Sequence, residues 1–488
     1  MTTGAPMTSE RATGLWRCAA VLLAAGCSEP APASSAARGA AEPATVAAAP
    51  APAAAKPDVC PDFASLDPAT LPALPSSPFV ATLEEVWLVV LRKHYDSKLG
   101  CKDWPGLRLR YADELVGVKD ATKAYAIINR LLGELGQSHF RLFPPSGDHG
   151  EDHTGPAMPP LTVRWIEDRL VVVQSTATGH LGPVRRGAVL LGVDDTSFDD
   201  AIREVEQRTT RPSAFAFEIA RKAEARLSCD RAGQAKKVRV TDPSDAEREV
   251  IRMLTCVDPI GERITLGNLE NIPTQVESHL IAGTKIGVLA FNVWMLPMVK
   301  RVEDGITALR SKGMTGLVLD LRGNPGGVGA MSVPIARLLL DEPASLGRLA
   351  FRDFTQDFNV EAGANPFPGP VAILVDEGTA STSEIFAAGL HDLGRVTIVG
   401  ARPSAGAALP SVIDELSNGA ILQYVVGDYR TPKGTLVEGV GVVPDLMVVE
   451  TRADFVAGKD AVLDAAVQHL AAQLKDESGA KNPEERSP

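Results

Sequence analysis

The sequence has no excess of basic residues, no long apolar run and no cluster of metal-binding residues. Its 488 residues carry 49 Lys and Arg against 61 Asp and Glu, a formal net charge of −12, without a basic patch or tail. Nucleic acid is therefore not an expected partner, because its phosphates attract Lys and Arg. With 45% hydrophobic and 23% charged residues, the composition is typical of a globular protein with two or three domains and excludes a membrane bundle.

The first residues resemble an export signal. Arg11 and Arg17 precede the short apolar stretch CAAVLLAAG, and LLAAGC, which ends at Cys27, is similar to the lipobox of bacterial lipoproteins. The stretch is too short to span a bilayer, which takes about 20 apolar residues. We therefore predict a lipoprotein-type signal over 1–27, lipidation at Cys27, and a periplasmic or cell-envelope location. Contact with a membrane is expected only through this N-terminal anchor.

Composition and periodicity divide the rest of the chain. Residues 28–75 are rich in Pro and Ala and predict an extended linker. Apolar spacings of three and four predict an N-terminal helical region over 76–150, and short alternating runs predict a β-rich module over 157–257 with one helix after Asp199. Over 258–474, β-branched runs alternate with amphipathic helices, which predicts an α/β core with a largely parallel sheet. The charged end, 475–488, is predicted to be a disordered tail.

Cysteine usage is consistent with export. Apart from the two cysteines of the signal, four remain, an even number in a compartment where disulfides persist. Pairing of neighbours predicts Cys60 with Cys101, at the end of the linker, and Cys229 with Cys256, around a hairpin-like segment. The alternative is four free buried thiols, since unpaired cysteine is common in protein cores. The chain offers no CxxC and no paired histidines, so no metal site and no cofactor are expected.

The segment DEGTASTSEIF, residues 376–386, joins an apolar run to a helical stretch. Ser381 and Glu384 stand three apart, which is the spacing of a helix capping box. On this pattern alone, a structural cap is the simpler interpretation. However, sites in parallel sheets lie at the C-terminal ends of strands. This segment and GLVLDLRGNPGG both occupy such a position.

Three motifs, in this order, resemble one known family: GLVLDLRGNPGG, VAILVDEGTASTSEIFAAGLHDLGRVTIVG and TPKGTLVEGVGVVPDLMV. They are similar to the S41 serine peptidases, the group of carboxyl-terminal processing (tail-specific) proteases and the tricorn protease core. The resemblance covers roughly residues 80–450. It implies a ClpP/crotonase-like α/β core preceded by a PDZ-like domain, which would be the β-rich module. The module has GAVLLGVDD in place of the family's usual turn, so the resemblance leaves open whether the module binds peptide.

The resemblance places the nucleophile at Ser381. A serine at a strand-to-helix turn has an exposed Oγ, and the next backbone N–H, that of Thr382, points at the developing oxyanion. A second N–H would come from Gly326 or Gly327, because residues without Cβ let the main chain approach a tetrahedral intermediate. The pattern does not choose between the two glycines.

The lysine that the processing proteases use as a base is absent. VGARPSAGAALPS has Gly406 or Ala407 at the matching positions. Lys433 lies in a turn, and His391 lies ten residues after the nucleophile on the same predicted helix, about 15 Å along its axis. The remaining histidines considered as bases have no motif around them: His94, His279 and His469.

The tricorn-like branch of the family implies another base. It has a Ser-His pair in the N-terminal region and a Glu in the closing motif, and this chain has Ser138 and His139 in GELGQSHF and Glu438 in VEGVGVVPD. In that arrangement His139 takes the Ser381 proton, while Glu438, directly or through Ser138, orients the imidazole.

The sequence therefore predicts an exported serine endopeptidase that cleaves unfolded proteins or peptides through an acyl-enzyme on Ser381. Its partner is a polypeptide substrate, and no oligomeric state is predicted. One alternative is a catalytically inactive peptide- or ligand-binding protein with the same fold, which the missing lysine favours. Another is an acyl-CoA enzyme, because the core fold is shared with the crotonase group, but an export signal argues against it.

Overall fold

The structure is a computed structural model that describes residues 60–145, 155–179, 182–209, 211–245, 247–266 and 269–480. The signal predicted over 1–27, with its lipidation site Cys27, lies outside the described residues. So do residues 28–59 of the predicted linker and residues 481–488 of the predicted tail. Within the ranges described, no helix is both long and apolar enough to cross a bilayer.

An N-terminal helical unit precedes the first strand. Its helices are α1 (Pro78–Lys93), α2 (Trp104–Leu115) and α3 (Ala121–Gly133). The carboxylates of Asp103 and Asp120 cap α2 and α3 by accepting backbone N–H groups of the first turn. From Cys60 onward the predicted linker is not extended. It packs on this unit through apolar side chains and a disulfide between Cys60 and Cys101.

The unit continues directly into the rest of the molecule. Strand β1 (Arg141–Phe143) follows α3 and pairs with β20 (Ile421–Val425), which in turn pairs with β19 (Ser411–Glu415). One apolar core contains Trp87 and Trp104 of the helices together with Leu422 of β20. This shared core fixes the segment between α3 and β1 against the C-terminal half of the chain.

The β-rich module has short antiparallel sheets and two helices. Its elements are β2 (Leu161–Ile166), β3 (Arg169–Ser175), β4 (Thr178–Gly179), β5 (Gly182–Pro183), β6 (Leu190–Val193), β7 (Thr196–Ser197), α4 (Asp199–Arg208), α5 (Pro212–Leu227), β8 (Ala235–Asp242) and β9 (Arg248–Thr255). The strands pair as β2-β3, β4-β5 and β7-β6-β8-β9. A disulfide joins Cys229 to Cys256. The sequence predicted one helix after Asp199, but there are two, because Pro212 begins a second helix at a position where its missing N–H costs nothing.

A six-stranded sheet forms the α/β core. Its strands, in spatial order, are β12 (Val276–Leu280), β13 (Ile286–Phe291), β14 (Gly316–Asp320), β17 (Val371–Val375), β18 (Thr397–Gly400) and β22 (Leu446–Met447). The β12 and β13 strands are antiparallel, and the other neighbours are parallel. The prediction of a largely parallel sheet is therefore confirmed.

Helices cover both faces of this sheet. They are α6 (Leu296–Ser311), α7 (Ser332–Ala336), α8 (Thr382–Asp392) and α10 (Ala461–Ala480). The short α9 (Arg452–Val456) instead packs against the β-rich module through Phe455. Along β17, Ile373 and Val375 pack in the cluster that includes α6 and α8, whereas Ala372 and Leu374 pack towards α10. Because both faces of β17 are buried in this way, its sequence is one continuous apolar run. Because α10 extends to Ala480, the first residues of the predicted disordered tail are helical.

Two smaller sheets complete the core. The hairpin of β10 (Glu262–Leu266) and β11 (Leu269–Thr274) leads into β12. An antiparallel sheet consists of β16 (Thr355–Val360), β15 (Ala344–Phe351) and β21 (Gly427–Arg430), in that order. The adjacent parallel strands β14 and β17 end side by side, so the loops that follow them, with the motifs GNPGG and DEGTAS, lie next to each other.

Candidate active site

The two strand-end loops are tied to each other by hydrogen bonds. The Asp376 carboxylate, just after β17, accepts the N–H of Gly323 at 2.8 Å and of Gly378 at 2.9 Å. The Thr379 hydroxyl donates to the carbonyl of Leu321 at 2.8 Å. These bonds fix the loop that leads to Ser381 against the loop after β14.

Ser381 stands at the start of α8 in an unusual backbone conformation. Its φ is 56°, a left-handed value that few residues other than glycine adopt, and the residue is 1% exposed. The N–H of Glu384 bonds to the Ser381 carbonyl at 2.9 Å, and the Ser381 hydroxyl has no hydrogen-bond partner among the described residues. The predicted capping-box arrangement of Ser381 and Glu384 is present, with the Ser381 N–H donating to Glu384 Oε2 at 3.1 Å, but the Ser381 hydroxyl makes no capping hydrogen bond. The serine side chain is therefore not the helix cap.

Ser138, His139 and Glu438 form a buried chain of hydrogen bonds, which we call the histidine relay. His139 Nδ1 lies 2.7 Å from Ser138 Oγ, which lies 2.9 Å from Glu438 Oε2. The Ser138 hydroxyl has one proton and donates it to the carboxylate, so it accepts a bond from His139 Nδ1–H. This assignment leaves Nε2 as the unprotonated nitrogen. Burial lowers the pKa of His139 to about 4, so the imidazole is neutral at pH 7.

Glu438 is held by three donors from two segments. Its Oε1 accepts the Ser138 N–H at 2.8 Å, and its Oε2 accepts the Ala408 N–H at 3.0 Å in addition to the Ser138 hydroxyl. Burial raises the pKa of Glu438, and these hydrogen bonds oppose the rise because they favour the ionised form.

Neighbouring residues connect Ser381 to the histidine relay. The Ser381 N–H bonds to the carbonyl of Ala407 at 2.9 Å, and the next residue, Ala408, bonds to Glu438. His139 and Ala380 line the same cleft. No direct hydrogen bond joins His139 to the Ser381 hydroxyl, as is common for catalytic groups in the absence of substrate.

The three residues predicted for the oxyanion hole lie beside Ser381. A Cβ on Gly326 would come within 2.7 Å of Ser381 Cβ, and Thr382 Oγ1 donates to the Gly327 carbonyl at 2.8 Å. The Gly326 N–H is occupied by Asn324 Oδ1 at 3.0 Å. In the described part of the chain, the N–H groups of Gly327 and Thr382 have no acceptor.

Glu384 was predicted only as a capping residue, but it has a larger role in the structure. The segment that carries the lysine in the resembling proteases here closes around this carboxylate, with N–H groups of Gly406 at 2.7 Å and Ala407 at 2.8 Å. Burial raises the pKa of Glu384 to about 7, although the hydrogen bonds from Ser404, Gly406 and Ala407 oppose the rise. Sequence reasoning missed this because the donors lie about twenty positions further along the chain.

Other candidate bases are engaged elsewhere. His391 Nε2 bonds to Asp445 Oδ1 at 2.9 Å on the surface of α8, and His94 bonds to Gln137 Oε1 at 2.8 Å. His469 lies against Thr397, and Lys433 is in an exposed turn. None of them has a hydrogen bond to the histidine relay within the described ranges.

An open cleft of about 2220 Å³ leads to the site. All three units line it: His139 comes from the N-terminal unit, and Ala380 comes from the core. One face of α5 in the β-rich module, with Phe217 and Arg221, forms another wall. Phe217 also packs against the alanines around the nucleophile. The described residues contain no group of three or more His, Cys, Asp or Glu arranged to hold a metal ion.

A buried ion cluster joins the β-rich module to the core next to the site. Arg164 of β2 makes two hydrogen bonds to the Glu377 carboxylate, at 3.0 and 2.9 Å, and a third charge pair with Glu450 at 3.0 Å. Glu377 directly precedes the loop that contains Ser381. The position of the module is thus linked to the strand end that carries the candidate nucleophile.

The fold and the site define a class of protein, the serine-type peptidases, and comparison with known proteins gives the family. Residues 285–448 match the model of peptidase family S41. The predicted resemblance to this family is confirmed over these residues.

Curated relatives and a solved structure agree with the family. The chain is 26% identical over 386 residues to carboxyl-terminal-processing peptidase 3, chloroplastic, of Arabidopsis thaliana, which covers 76% of this chain and 69% of the relative. It is 34% identical over 173 residues to a carboxyl-terminal-processing protease of Synechocystis sp., covering 36% and 40%. The crystal structure of mature CPAF shares the fold, with a TM-score of 0.59, 16% identity and coverage of 82% and 98%.

Proposed function

We propose that this protein is a serine endopeptidase that hydrolyses peptide bonds through an acyl-enzyme on Ser381. One observation carries the proposal. The buried Ser381 hydroxyl is unpaired and held at a left-handed turn, although its spacing would allow it to cap α8. An unmade hydrogen bond and a strained backbone both cost stability, and such costs concentrate at functional sites.

The histidine relay supplies the base. As Ser381 Oγ attacks the substrate carbonyl carbon, its proton passes to His139 Nε2. The Nδ1–H of the resulting imidazolium donates to Ser138, which donates to the Glu438 carboxylate, so the charge is stabilised across the relay. His139 then gives the proton to the leaving amine as the C–N bond breaks. Water, activated by the same nitrogen, hydrolyses the ester and restores the serine.

Two backbone N–H groups bind the oxyanion in this proposal. Gly327 and Thr382 are assigned this role because their N–H groups have no other acceptor among the described residues, whereas the Gly326 N–H is occupied. The role of Gly326 is then steric, since a side chain there would collide with Ser381.

The substrate we propose is an unfolded protein or a peptide. Ser381 is 1% exposed, and its neighbour Ala380 lines the cleft, so an extended chain fits this buried position better than a folded domain does. Several relatives are named as carboxyl-terminal processing proteases, which supports a polypeptide substrate. We also propose that the β-rich module is PDZ-like and that the α/β core is ClpP/crotonase-like.

An exported location is part of the proposal. Two disulfides in the described chain would persist in an oxidising compartment. The lipid anchor at Cys27 is tested by labelling cells with a radioactive fatty acid. Lipid should attach to the wild type and not to Cys27→Ala.

Labelling with a fluorophosphonate probe tests the catalytic proposal. The full chain should react, while Ser381→Ala and His139→Ala should lose at least about 1,000-fold in labelling rate, because each removes the nucleophile or its base. His391→Ala, a histidine on the surface of α8, is the matched control and should react like the wild type. If the wild type does not label while a control hydrolase does, the catalytically inactive binding protein is the better interpretation.

A further inference from the structure

Glu384 is a buried carboxylate whose two oxygens accept four hydrogen bonds. Oε1 accepts the hydroxyl of Ser404 and the N–H of Gly406, and Oε2 accepts the N–H groups of Ala407 and Ser381. The side chain is completely buried. Each oxygen thus faces two donors, so the arrangement fits an ionised carboxylate. Ser404 Oγ, which also accepts the Val442 N–H at 2.6 Å, is the one partner that could accept a carboxyl proton.

One of these four donors is the nucleophile's own backbone. The Ser381 N–H is shared between Glu384 Oε2 at 3.1 Å and the Ala407 carbonyl at 2.9 Å. These bonds hold the peptide unit in front of Ser381, where φ is 56°. Since this conformation is unfavourable for serine, it persists only if surrounding contacts enforce it.

The same contacts extend to the histidine relay. Residues 404–408, which we call the bridging segment, donate to both buried carboxylates: Ala407 to Glu384 and Ala408 to Glu438. The segment is itself anchored to the loop of Glu438, because the Gly439 N–H bonds to the Gly406 carbonyl at 2.8 Å. A change in the bonding of Glu384 would therefore move the nucleophile and the relay relative to each other.

We propose that Glu384 is a positioning residue, whose ionised carboxylate holds Ser381 and the bridging segment in the reactive arrangement. This inference rests on the proposed function. Protonation of Oε2 would place a donor against the N–H groups of Ser381 and Ala407. Protonation of Oε1 would force the Ser404 hydroxyl to turn and give up its bond to the carboxylate. In either case a bond that holds Ser381 or the bridging segment is lost. The reactivity of Ser381 should then depend on the charge of Glu384, a group that never touches the substrate.

The surroundings of Glu384 set the pH at which it ionises, and this pH is near neutral. Burial raises its pKa to about 7, with a smaller contribution from the negative charge of Glu438. Tyr429 lies nearby, but its hydroxyl donates to the carbonyls of Leu346 and Ile385. Arg211 lies beside Gly406 and lowers the pKa of Glu438. Burial lowers the pKa of His139, so the titration of the base is expected at lower pH than that of Glu384, and variants of Glu384 and Ser404 separate the two.

The test measures the rate of fluorophosphonate labelling of the full chain from pH 5 to 9, for the wild type, Glu384→Gln and Ser404→Ala. The wild-type rate should fall below about pH 7. Glu384→Gln places an amide NH₂ against two donors. Because the nucleophile is then misplaced, this variant should label about 100-fold more slowly than the wild type. Its labelling rate should also show no decrease near pH 7. Ser404→Ala removes one hydrogen bond to the ionised carboxylate. The pH at which the labelling rate is half-maximal should therefore rise by about one unit.

Each outcome decides the inference. A role in folding alone would lower the unfolding temperature of both variants but leave the pH of half-maximal labelling in Ser404→Ala equal to that of the wild type. That result would overturn the inference even if Glu384→Gln did not fold. A wild type that labels with no fall near pH 7 would overturn it too, while the proposed function would stand. A wild type that does not label at all would remove both.

Discussion

At Gly326, the choice of residue is limited because the main chain of the loop that contains Ser381 passes very close. Gly326 has a φ of 100°, and a Cβ built there would lie 2.7 Å from Ser381 Cβ and 2.9 Å from the Ala380 carbonyl oxygen. Backbone atoms cannot yield as a flexible side chain can. The glycine is therefore required by the geometry of the nucleophile loop, in addition to its own conformation.

Gly326→Ala should lower the rate of fluorophosphonate labelling by about 100-fold, because the methyl group displaces Ser381 from its position beside the relay. Gly313→Ala is the matched control. It has a positive φ of 85° but open space around the new Cβ, so it should lose stability and keep the labelling rate. Equal labelling rates for the two variants would contradict the argument.

The residues of the site differ in how far the sequence could predict them. Ser381, His139, Ser138 and Glu438 each lie in a short motif, so a resemblance could place them one by one. The second role of Glu384 could not be predicted in this way. It depends on the fold of the bridging segment, where backbone N–H groups, rather than side chains, supply most of the contacts.

At the scale of elements, strands and helices with a strong apolar pattern were predictable, and boundaries set by tertiary contacts were not. The parallel strands of the core and the helix after Ser381 form as predicted. Helix α5 was missed because its sequence, PSAFAFEIARKAEARL, has a weak apolar pattern, and its buried face is made by small residues such as Ala216 and Ala223. The end of the linker was misplaced because apolar contacts and a disulfide order it.

The contact between β2 and the loop after β17 should contribute strongly to stability. Arg164→Ala leaves the Glu450 carboxylate without its ion-pair partner and Glu377 with only Arg402, 3.6 Å away, which should cost about 3–5 kcal/mol in the free energy of unfolding. Arg203→Ala removes an exposed ion pair with Asp200 on α4 and should cost less than about 1 kcal/mol. Urea unfolding of the three proteins compares them. Equal midpoints for the two variants would mean that the cluster does not hold the module in place.

At the scale of the whole molecule, two buried groups give the stability opposite dependences on pH. The pKa of His139 is lowered to about 4 in the folded protein, so its contribution is present above the unfolded pKa near 6.5 and is lost as pH falls towards 4. The pKa of Glu384 is raised to about 7, so its contribution is present below the unfolded pKa near 4.5 and is lost as pH rises towards 7. Between about pH 4.5 and 6.5 the two slopes cancel.

Removing one of the two groups should reveal the pH dependence of stability that the other group causes. In Glu384→Gln the falling slope is gone, so the free energy of unfolding, relative to wild type, should rise by roughly 2 kcal/mol from pH 4.5 to 6.5. Urea unfolding at these two pH values measures the change, and Glu303→Gln, at an exposed position of α6, controls for the loss of a negative charge. If both variants differ from wild type by the same amount at each pH, Glu384 is ionised in the folded protein throughout this range. A difference that grows between pH 4.5 and 6.5 would instead show that Glu384 is neutral in acid and that ionising the buried carboxylate costs stability as the pH rises.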